Sequence, residues 1–448
     1  MKLRDNTAGW LLCAAMAASA QAPQLTLRQA IDRALGQNPQ AAMARADSEA
    51  AAAGARQART QLLPQLNFTE DISRGDDPVY VFGERLRERQ FTQADFALNA
   101  LNRPLPRGNF STRFAGAWMA FDSWKTEKEI RRADLFRQGA DAARKAADQR
   151  IVLRVVNAYQ SVLYAQRGVD VAEHEQQTAQ ALLTEVTQHV KAGLAVNSDR
   201  MAAEVNAAAR QQELIAARGG LELAWAELGA AMGAPDLAPS ALMPIEPHAF
   251  PESRLEDEIA AAAKTRPDLA AMGKASDAQG EAVSAARSDF GPRVSAYGDW
   301  EEDRGSLTGS GGNNWVAGVQ ISLDILPLGK RDQLAREAAA RSRAEAQLRQ
   351  AQLDVRLQVR QAHVERQTAE LSMDTARAAT AQTAESLRIV RNRYNAGLAT
   401  ITDLLRAEDA ERQAESSYWK AVYGNAVAYS QLLYAEGTLT PDAAEELQ

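Results

Sequence analysis

Few residues of this sequence have the types and spacing that catalysis or metal binding requires. Its four histidines are His174, His189, His248 and His363. None of them pairs with another at i, i+4, no His-Glu-x-x-His segment occurs, and the single cysteine, Cys13, cannot complete a zinc-binding set. The segment Gly329-Lys330-Arg331 lacks the upstream glycine and the Ser or Thr of a phosphate-binding loop. The sequence therefore predicts no enzyme, no metal site and no cofactor.

Charge and composition argue against a nucleic-acid partner and favour long helices. The formal net charge is -7, and no concentrated basic face is present. Alanine dominates a hydrophobic fraction of 46%, whereas aromatic residues make up 6%. Tracts of Ala, Glu, Gln, Arg and Leu favour long helices and coiled coils over a compact core.

Residues 1–22 are predicted to be a secretory signal peptide. Lys2 and Arg4 precede an apolar run, and small residues offer cleavage sites after Ala20 or Ala22. Cys13 lies inside this segment and too early for lipid attachment, so the exported chain is expected to carry no thiol. No later tract approaches the ~20 apolar residues of a membrane-spanning helix. The sequence thus indicates an exported protein.

Two aspartates, Asp199 and Asp403, lie in a motif that the chain contains twice. Each follows an Ala-Gly-Leu-Ala segment, and the two copies are 204 residues apart. A second set of matches, 228 residues apart, joins Pro39 to Pro267 and Pro64 to Pro292. The chain is therefore predicted to be two copies of one unit, at 23–234 and 255–437. A proline-rich linker, 235–254, separates them, and a tail, 438–448, follows.

A long helix is predicted in each repeat, at about 125–191 and 329–396. Proline interrupts neither tract, and each helix would be roughly 100 Å long. Apolar and small residues recur with alternating spacings of four and three, the period of a coiled coil. In the second tract this seam includes Val355, Val359, Ala362, Arg366 and Met373.

The glycine motifs are predicted to end these long helices. Gly193 and Gly397 are helix stop signals, and return helices follow at about 198–231 and 402–436. Ser198 and Thr402 are expected to cap the return helices, which would place Asp199 and Asp403 in their first turns. Each motif is thus interpreted as a tight turn between two antiparallel helices.

Two β-hairpins are predicted, at about 65–121 and 293–324. Their residues alternate between an apolar and a polar side in runs of about 8 to 11 residues, the length of a tilted membrane strand. The hairpin loops are expected at about Arg74–Arg113 and Glu302–Asn314. A small soluble sheet packed on helices is one interpretation. A barrel completed by several chains is the other, because four strands leave two open edges.

The order of these elements resembles that of the TolC-type outer-membrane efflux proteins, over about Leu25 to Gly437. The residues that carry the resemblance most specifically are Tyr394, Gly397 and Asp403, the pairs Asn38-Pro39 and Arg266-Pro267, and the strand-end pairs Phe121-Asp122 and Leu323-Asp324. The segment "DDPVYVFGERLRERQFTQADFALNALNRP", from Asp76 to Pro104, resembles a subgroup of that family.

The resemblance implies a mainly α fold with a small membrane β part. Three chains would form a 12-strand β-barrel in the outer membrane lipid, on an α-helical periplasmic barrel. The homotrimer would be a passive exit duct for drugs, metal ions or solvents, served by an inner-membrane pump through a periplasmic adaptor (membrane fusion protein). The alternatives are a duct for type I protein secretion and an exported coiled-coil scaffold or adhesin.

The resemblance also implies roles for the residues of the two turns. The adaptor would contact Gly193, Leu194, Gly397 and Leu398, and the tip constriction would involve Asp199, Tyr394, Asp403 and Arg406. The sequence departs from the family pattern at two positions. Arg406 stands where some relatives carry a second carboxylate, and Ala399 stands where some carry a basic gating residue.

Overall fold

The computed structural model describes residues 24–244, 250–251 and 253–445. Within them the helices are α1 (Leu27–Gln37), α2 (Pro39–Thr60), α3 (Pro78–Arg87), α4 (Leu98–Asn102), α5 (Lys125–Lys191), α6 (Asn197–Met232), α7 (Leu255–Thr265), α8 (Pro267–Ser288), α9 (Leu328–Asn395), α10 (Ile401–Glu436) and α11 (Pro441–Glu445). The strands are β1 (Gln65–Gly75), β2 (Arg107–Phe121), β3 (Arg293–Arg304) and β4 (Gly311–Ser322). The predicted signal peptide and His248 lie outside the described residues.

The two long helices, α5 and α9, have 67 and 68 residues. Their bounds and those of the return helices α6 and α10 lie within two residues of the positions expected from the sequence. The buried residues of α9 are Val355, Val359, Ala362, Arg366 and Met373. All five belong to the seam of alternating four- and three-residue spacing, so this face packs against neighbouring helices as a coiled coil does.

Aspartates that follow β2 and β4 contact the first turns of the long helices. Asp122 accepts a hydrogen bond from the backbone N–H of Thr126 at 2.8 Å, which satisfies a donor in the first turn of α5. Asp324 pairs with Lys330 in the first turn of α9, and Arg293 lies 3.4 Å from the same carboxylate. The aspartates of the two strand-end pairs thus join each hairpin to its helix.

The four strands form one antiparallel sheet in the order β1-β2-β3-β4, so β1 and β4 are its edges. The register places Ser111 opposite Asp303 and Trp300 opposite Trp315. One face carries alternate polar side chains. The other face carries large exposed apolar side chains, namely Leu66, Phe68, Ile72, Phe114, Trp118, Trp315, Val319 and Ile321. No described helix has both the length and the apolar content needed to cross a bilayer.

The strands extend further than the predicted loop bounds allow. The first loop was expected to span Arg74–Arg113, but β1 runs to Gly75 and β2 starts at Arg107. The antiparallel pairing of β1 with β2 continues without a break to Gly75 and Arg107, so side chains keep alternating between the two faces along both strands. Residues 76–106, hereafter the insert, contain α3, a 3₁₀ turn at Gln93–Phe96, and α4 rather than a plain loop. The second loop likewise shortens from Glu302–Asn314 to 305–310.

The largest apolar core lies where both repeats meet the linker. The Tyr159 ring is fully buried in α5, and its hydroxyl donates toward the carbonyl oxygens of Leu25 and Met243 at 2.8 and 2.9 Å. Leu25 forms a β-bridge with Leu242 of the linker, which ties the linker to the start of the first repeat. The predicted tail also packs: Leu439 and Ala444 are buried beside this core.

Matching glycines in the two repeats make matching contacts at the ends of α6 and α10. Gly233 and Gly437 have φ of 73° and 78°, in the left-handed region. A Cβ at Gly233 would lie 2.8 Å from the Cα of Asn38, and one at Gly437 would lie 2.8 Å from the Cα of Arg266. Each junction therefore requires glycine for two reasons: the backbone is left-handed, and the neighbouring backbone leaves no room for a Cβ.

Candidate channel tip

The two Ala-Gly-Leu motifs form the same turn. Gly193 and Gly397 both have φ of 74°. The backbone N–H of the following leucine bonds back to the last turn of the long helix: Leu194 to His189 at 2.8 Å and Leu398 to Arg393 at 2.8 Å. This is the six-residue closure of a Schellman motif, in which glycine adopts the left-handed conformation at low cost.

A small apolar cluster brings the two turns together. Leu182 and Val186 of α5 pack with Ile401 and Leu404 of α10, and Tyr394 is partly buried against the same cluster. The leucines of the turns remain outside it: the side chains of Leu194 and Leu398 are 78% and 70% exposed. The end of the molecule farthest from the sheet thus presents two adjacent turns with exposed apolar side chains.

Asp403 closes a capping box at the start of α10. Its carboxylate accepts hydrogen bonds from the backbone N–H of Thr400 at 3.0 Å and from the Thr400 hydroxyl at 2.7 Å. The Thr400 hydroxyl in turn accepts from the Asp403 N–H at 3.2 Å. The backbone hydrogen bond from Thr400 lowers the pKa of Asp403 most, and the Thr400 hydroxyl adds to this. The box is therefore complete at neutral pH and is lost as pH falls through the lowered pKa of Asp403.

The expected caps Ser198 and Thr402 are wrong by two residues. The residues with extended backbone before the helices are Val196 and Thr400, and Ser198 and Thr402 lie in the first turns. The return helices begin earlier because the chain needs a single extended residue after the Gly-Leu-Ala turn. Val196 has no side-chain oxygen that could accept a capping hydrogen bond, so the two turns differ in stability although they share a backbone path.

Asp199 and Tyr394 lie close together across the two motifs. Burial raises the pKa of Tyr394, and the nearby charges of Glu185 and Asp199 raise it further. Arg406 is exposed on α10, and its charge contributes to the lowered pKa of Asp403. The structure thus places all four predicted constriction residues at one end of the molecule, while their role in a constriction stays a prediction.

Two polar contacts near the helices were not foreseen from the sequence. Arg210 of α6, which is buried, binds Asp409 of α10 at 2.7 Å and so joins the two repeats above the tip. The Nδ1 atom of His363 lies 2.9 Å from the buried carboxylate of Glu258. Both pairs join residues over 100 positions apart, and no local sequence pattern signals such a contact.

The fold matches solved outer-membrane channels along nearly its whole length. Superposition on CusC, solved in a study of folding and transmembrane channel formation, has a TM-score of 0.78 at 17% identity and covers 92% of each chain. For CmeC of Campylobacter jejuni the TM-score is 0.76 at 17% identity, covering 98% of this chain and 94% of that one. For the open state of MtrE from Neisseria gonorrhoeae it is 0.75 at 20% identity, covering 92% and 91%. The chain therefore has the fold of an outer-membrane channel subunit.

Sequence comparison finds similarity to the same class of protein. Residues 259–438 match the family model for outer membrane efflux proteins. The chain is also 24% identical over 319 residues to the alkaline protease secretion protein AprF of Pseudomonas aeruginosa, a match that covers 67% of this chain and 64% of AprF. These matches confirm the resemblance to TolC-type outer-membrane efflux proteins, and the outer-membrane location, that the motifs indicate.

Proposed function

We propose that three copies of this chain form a passive exit duct through the outer membrane. The duct carries small molecules that an inner-membrane pump delivers through a periplasmic adaptor. The observation that carries the proposal is the four-stranded sheet, which has two unpaired edges, one polar face and one exposed apolar face. Lipid cannot satisfy the backbone groups of an open edge, so the edges of neighbouring copies must pair and close a barrel.

The two faces of the sheet fit this arrangement. The exposed apolar side chains of Leu66, Phe68, Val319 and Ile321 lie on the face that would meet lipid. The opposite face would line the lumen. The long helices would continue the lumen into the periplasm and end at the exposed turns, where Leu194 and Leu398 offer an apolar contact to the adaptor. The duct itself is proposed to catalyse no reaction.

A protein-secretion duct is the second candidate for the cargo. AprF, one sequence relative, is described as an alkaline protease secretion protein. The test is to express the chain as the sole outer-membrane duct with either class of pump. Restored resistance to drugs or metal salts supports small-molecule efflux, and restored secretion of a protease supports the alternative.

The assembly is tested by charges placed on the two faces of β4. Val319 lies on the apolar face and is 68% exposed, whereas the adjacent Gln320 lies on the polar face. An arginine near the middle of the lipid face of a barrel costs about 2–4 kcal/mol. Val319→Arg should therefore lower the amount of detergent-extracted trimer, measured by native mass spectrometry of outer membranes, and Gln320→Arg should leave it near wild type.

The opposite results would contradict the duct. A stable monomer in the membrane, or equal trimer levels in the Val319→Arg and Gln320→Arg proteins, would show that the apolar face does not meet lipid in a closed barrel. Cross-linking in intact cells, without detergent, separates a true monomer from a trimer that dissociates on extraction.

The charge at the tip is tested by Asp403→Asn. Three carboxylates around one aperture would attract cations over the ~8–10 Å screening length of physiological salt. Asparagine retains a side-chain oxygen that can accept the hydrogen bonds of the capping box, so the fold should survive. We expect a several-fold loss of cation preference in single-channel recordings and weaker block by multivalent cations from the periplasmic side.

Further variants distinguish an electrostatic role of Asp403 at the tip from its role in capping α10. Adding Asp199→Asn should extend the effect if both turns line one aperture, and Arg406→Ala should increase cation preference by removing an opposing charge. The control is Asp47→Asn, an exposed aspartate on α2, the helix that leads into β1. Unchanged selectivity in all three tip variants would restrict Asp403 to its role in capping α10.

A further inference from the structure

The insert folds onto the polar face of the sheet rather than extending beyond it. The Tyr80 hydroxyl of α3 lies 2.9 Å from the Ser73 hydroxyl on β1. Gln90 donates to the carbonyl oxygen of Ser310 at 3.0 Å, and Asn314 of β4 donates to the carbonyl oxygen of Arg87 at 3.2 Å. The insert thus bridges both hairpins. If the proposed duct is correct, this face lines the lumen, and the insert lies across its outer end.

The insert has its own small core and can move as one body. Phe91 stacks edge-on against Phe82, with ring centroids 4.7 Å apart, and against Phe96, with centroids 5.1 Å apart. Arg85 pairs with Asp95 between α3 and the 3₁₀ turn. These contacts lie within the insert, so they can persist when it separates from the sheet.

A buried polar clamp joins α3 to the sheet. The Asn109 side chain of β2 donates to Glu84 of α3 at 2.6 Å and to Asp303 of β3 at 2.9 Å. The exposed fractions of Asn109, Glu84 and Asp303 are 2%, 6% and 0%. One amide therefore connects two carboxylates in a place that solvent scarcely reaches.

The clamp contains more negative than positive charge. Glu88, the residue that follows α3, and Glu301 of β3 lie beside it, which makes four carboxylates with Glu84 and Asp303. Two guanidinium groups oppose them. Arg87 lies 3.4 Å from Glu84 and 4.0 Å from Glu301, and Arg107 of β2 pairs with Glu88. The strand β4 faces α3 with Gly312 and Asn314, which carry no charge.

Two carboxylate oxygens of the clamp have no hydrogen-bond partner within the described part of the chain. They are Oε1 of Glu88 and Oδ2 of Asp303. The charges of these two groups oppose a negative charge on the nearby Glu84 carboxyl and so favour its protonated form. Burial raises the pKa of Glu84 most; Arg87 opposes this, and the charge of Asp303 adds to it.

We propose that the insert is a lid over the outer end of the duct, held closed while the Glu84–Asn109–Asp303 clamp retains a proton. Loss of the proton places a further negative charge among buried carboxylates that two arginines already fail to balance. The clamp then separates, and the insert swings away from the polar face. Closure is complete at acidic pH and weakens as pH rises through the raised pKa of Glu84.

Paired cysteine variants on α3 report the position of the lid. Val81 lies three residues before Glu84, on the same side of α3, and is 4% exposed, whereas Val79 is 81% exposed on the same helix. Cys13, the single cysteine of the sequence, lies in the predicted signal peptide, so each variant offers one thiol after export. Intact cells that carry Val81→Cys or Val79→Cys are treated with a membrane-impermeant maleimide between pH 5.5 and 8.5. The ratio of the two labelling rates cancels the pH dependence of the maleimide reaction.

The lid predicts that this ratio rises by about tenfold over one to two pH units, as expected for a one-proton step. Glu84→Gln keeps the hydrogen bonds of a protonated carboxyl but cannot ionise, so the ratio should stay low at every pH. The control Glu49→Gln changes an exposed glutamate on α2 and should keep the wild-type profile.

Three results would overturn the lid. They are a ratio independent of pH in the wild-type background, a Glu84→Gln profile equal to that of wild type, and a Glu84→Gln ratio that is high throughout. A failure of the duct itself is distinct: Val79→Cys would then be labelled in broken cells but not in intact ones, because the insert would not face the exterior.

Discussion

Gly437→Val is expected to remove most of the protein from the outer membrane. The left-handed backbone at φ of 78° costs a residue with a side chain about 1–2 kcal/mol. The new Cβ would also lie 2.8 Å from the Cα and 2.9 Å from the backbone nitrogen of Arg266, and overpacking of this kind costs about 1–3 kcal/mol. Together these are a large part of the ordinary 5–15 kcal/mol stability of a folded domain.

Arg266 cannot move away cheaply to accept the new side chain. It is the residue between α7 and α8, and its guanidinium donates to the carbonyl oxygen of Ala435 at 3.2 Å and pairs with Asp268. Gln149 of α5 also donates to the carbonyl oxygen of Gly437 at 2.7 Å. The substitution therefore strains a junction of four helices, and its effect reaches beyond one turn.

The measurement is the protein level in outer-membrane fractions, with the thermal midpoint of the purified protein. Gly233→Val, in the matching position against Asn38, should have a similar effect. Gly424→Ala is the control on α10: a Cβ there meets no atom within 4 Å, and its backbone is helical, so the level should be at least that of wild type. Near-normal levels for Gly437→Val would show that the junction can relax.

Local patterns were sufficient to predict the long helices and the turns that end them. The tract before Lys191 has no proline, and glycine follows it, so the bounds of α5 could be derived from rules that act over a few residues. The seam of α9 was likewise readable, because the 3.5-residue period persists over many turns and Val355 to Met373 follow it. Both patterns can be recognised in the sequence without knowing which helix packs against this one.

Contacts between distant segments could not be predicted in the same way. Glu84 and Asp303 are far apart in sequence, and only the sheet register brings them to one amide of Asn109. The segment "FGERLRERQ" lies within the predicted hairpin loop Arg74–Arg113, where acidic side chains are normally exposed to water. The buried face of α3 becomes evident once its packing against the strands is known.

Gly397→Val should abolish export while leaving the protein in the outer membrane. Its φ of 74° matches that of Gly437, so valine incurs the same local cost of about 1–2 kcal/mol. Here, however, a Cβ would meet no atom within 4 Å. The strain is confined to the turn, which rearranges and moves the exposed side chain of Leu398 away from its position. If that side chain contacts the adaptor, docking is lost although the duct is assembled.

The comparison of Gly397→Val with Gly437→Val separates docking from folding, because the substitution is the same, the φ angles of 74° and 78° are nearly equal, and the surroundings differ. In a strain with this chain as its sole duct, Gly397→Val should be as sensitive to a panel of antibiotics and metal salts as a deletion. Its outer-membrane level should stay near wild type, and cross-linking to the adaptor should fall. Gly193→Val, in the other turn, should behave alike. If the Gly397→Val protein disappears from the membrane, the turn is required for folding. The proposal that this turn contacts the adaptor would then lose its support.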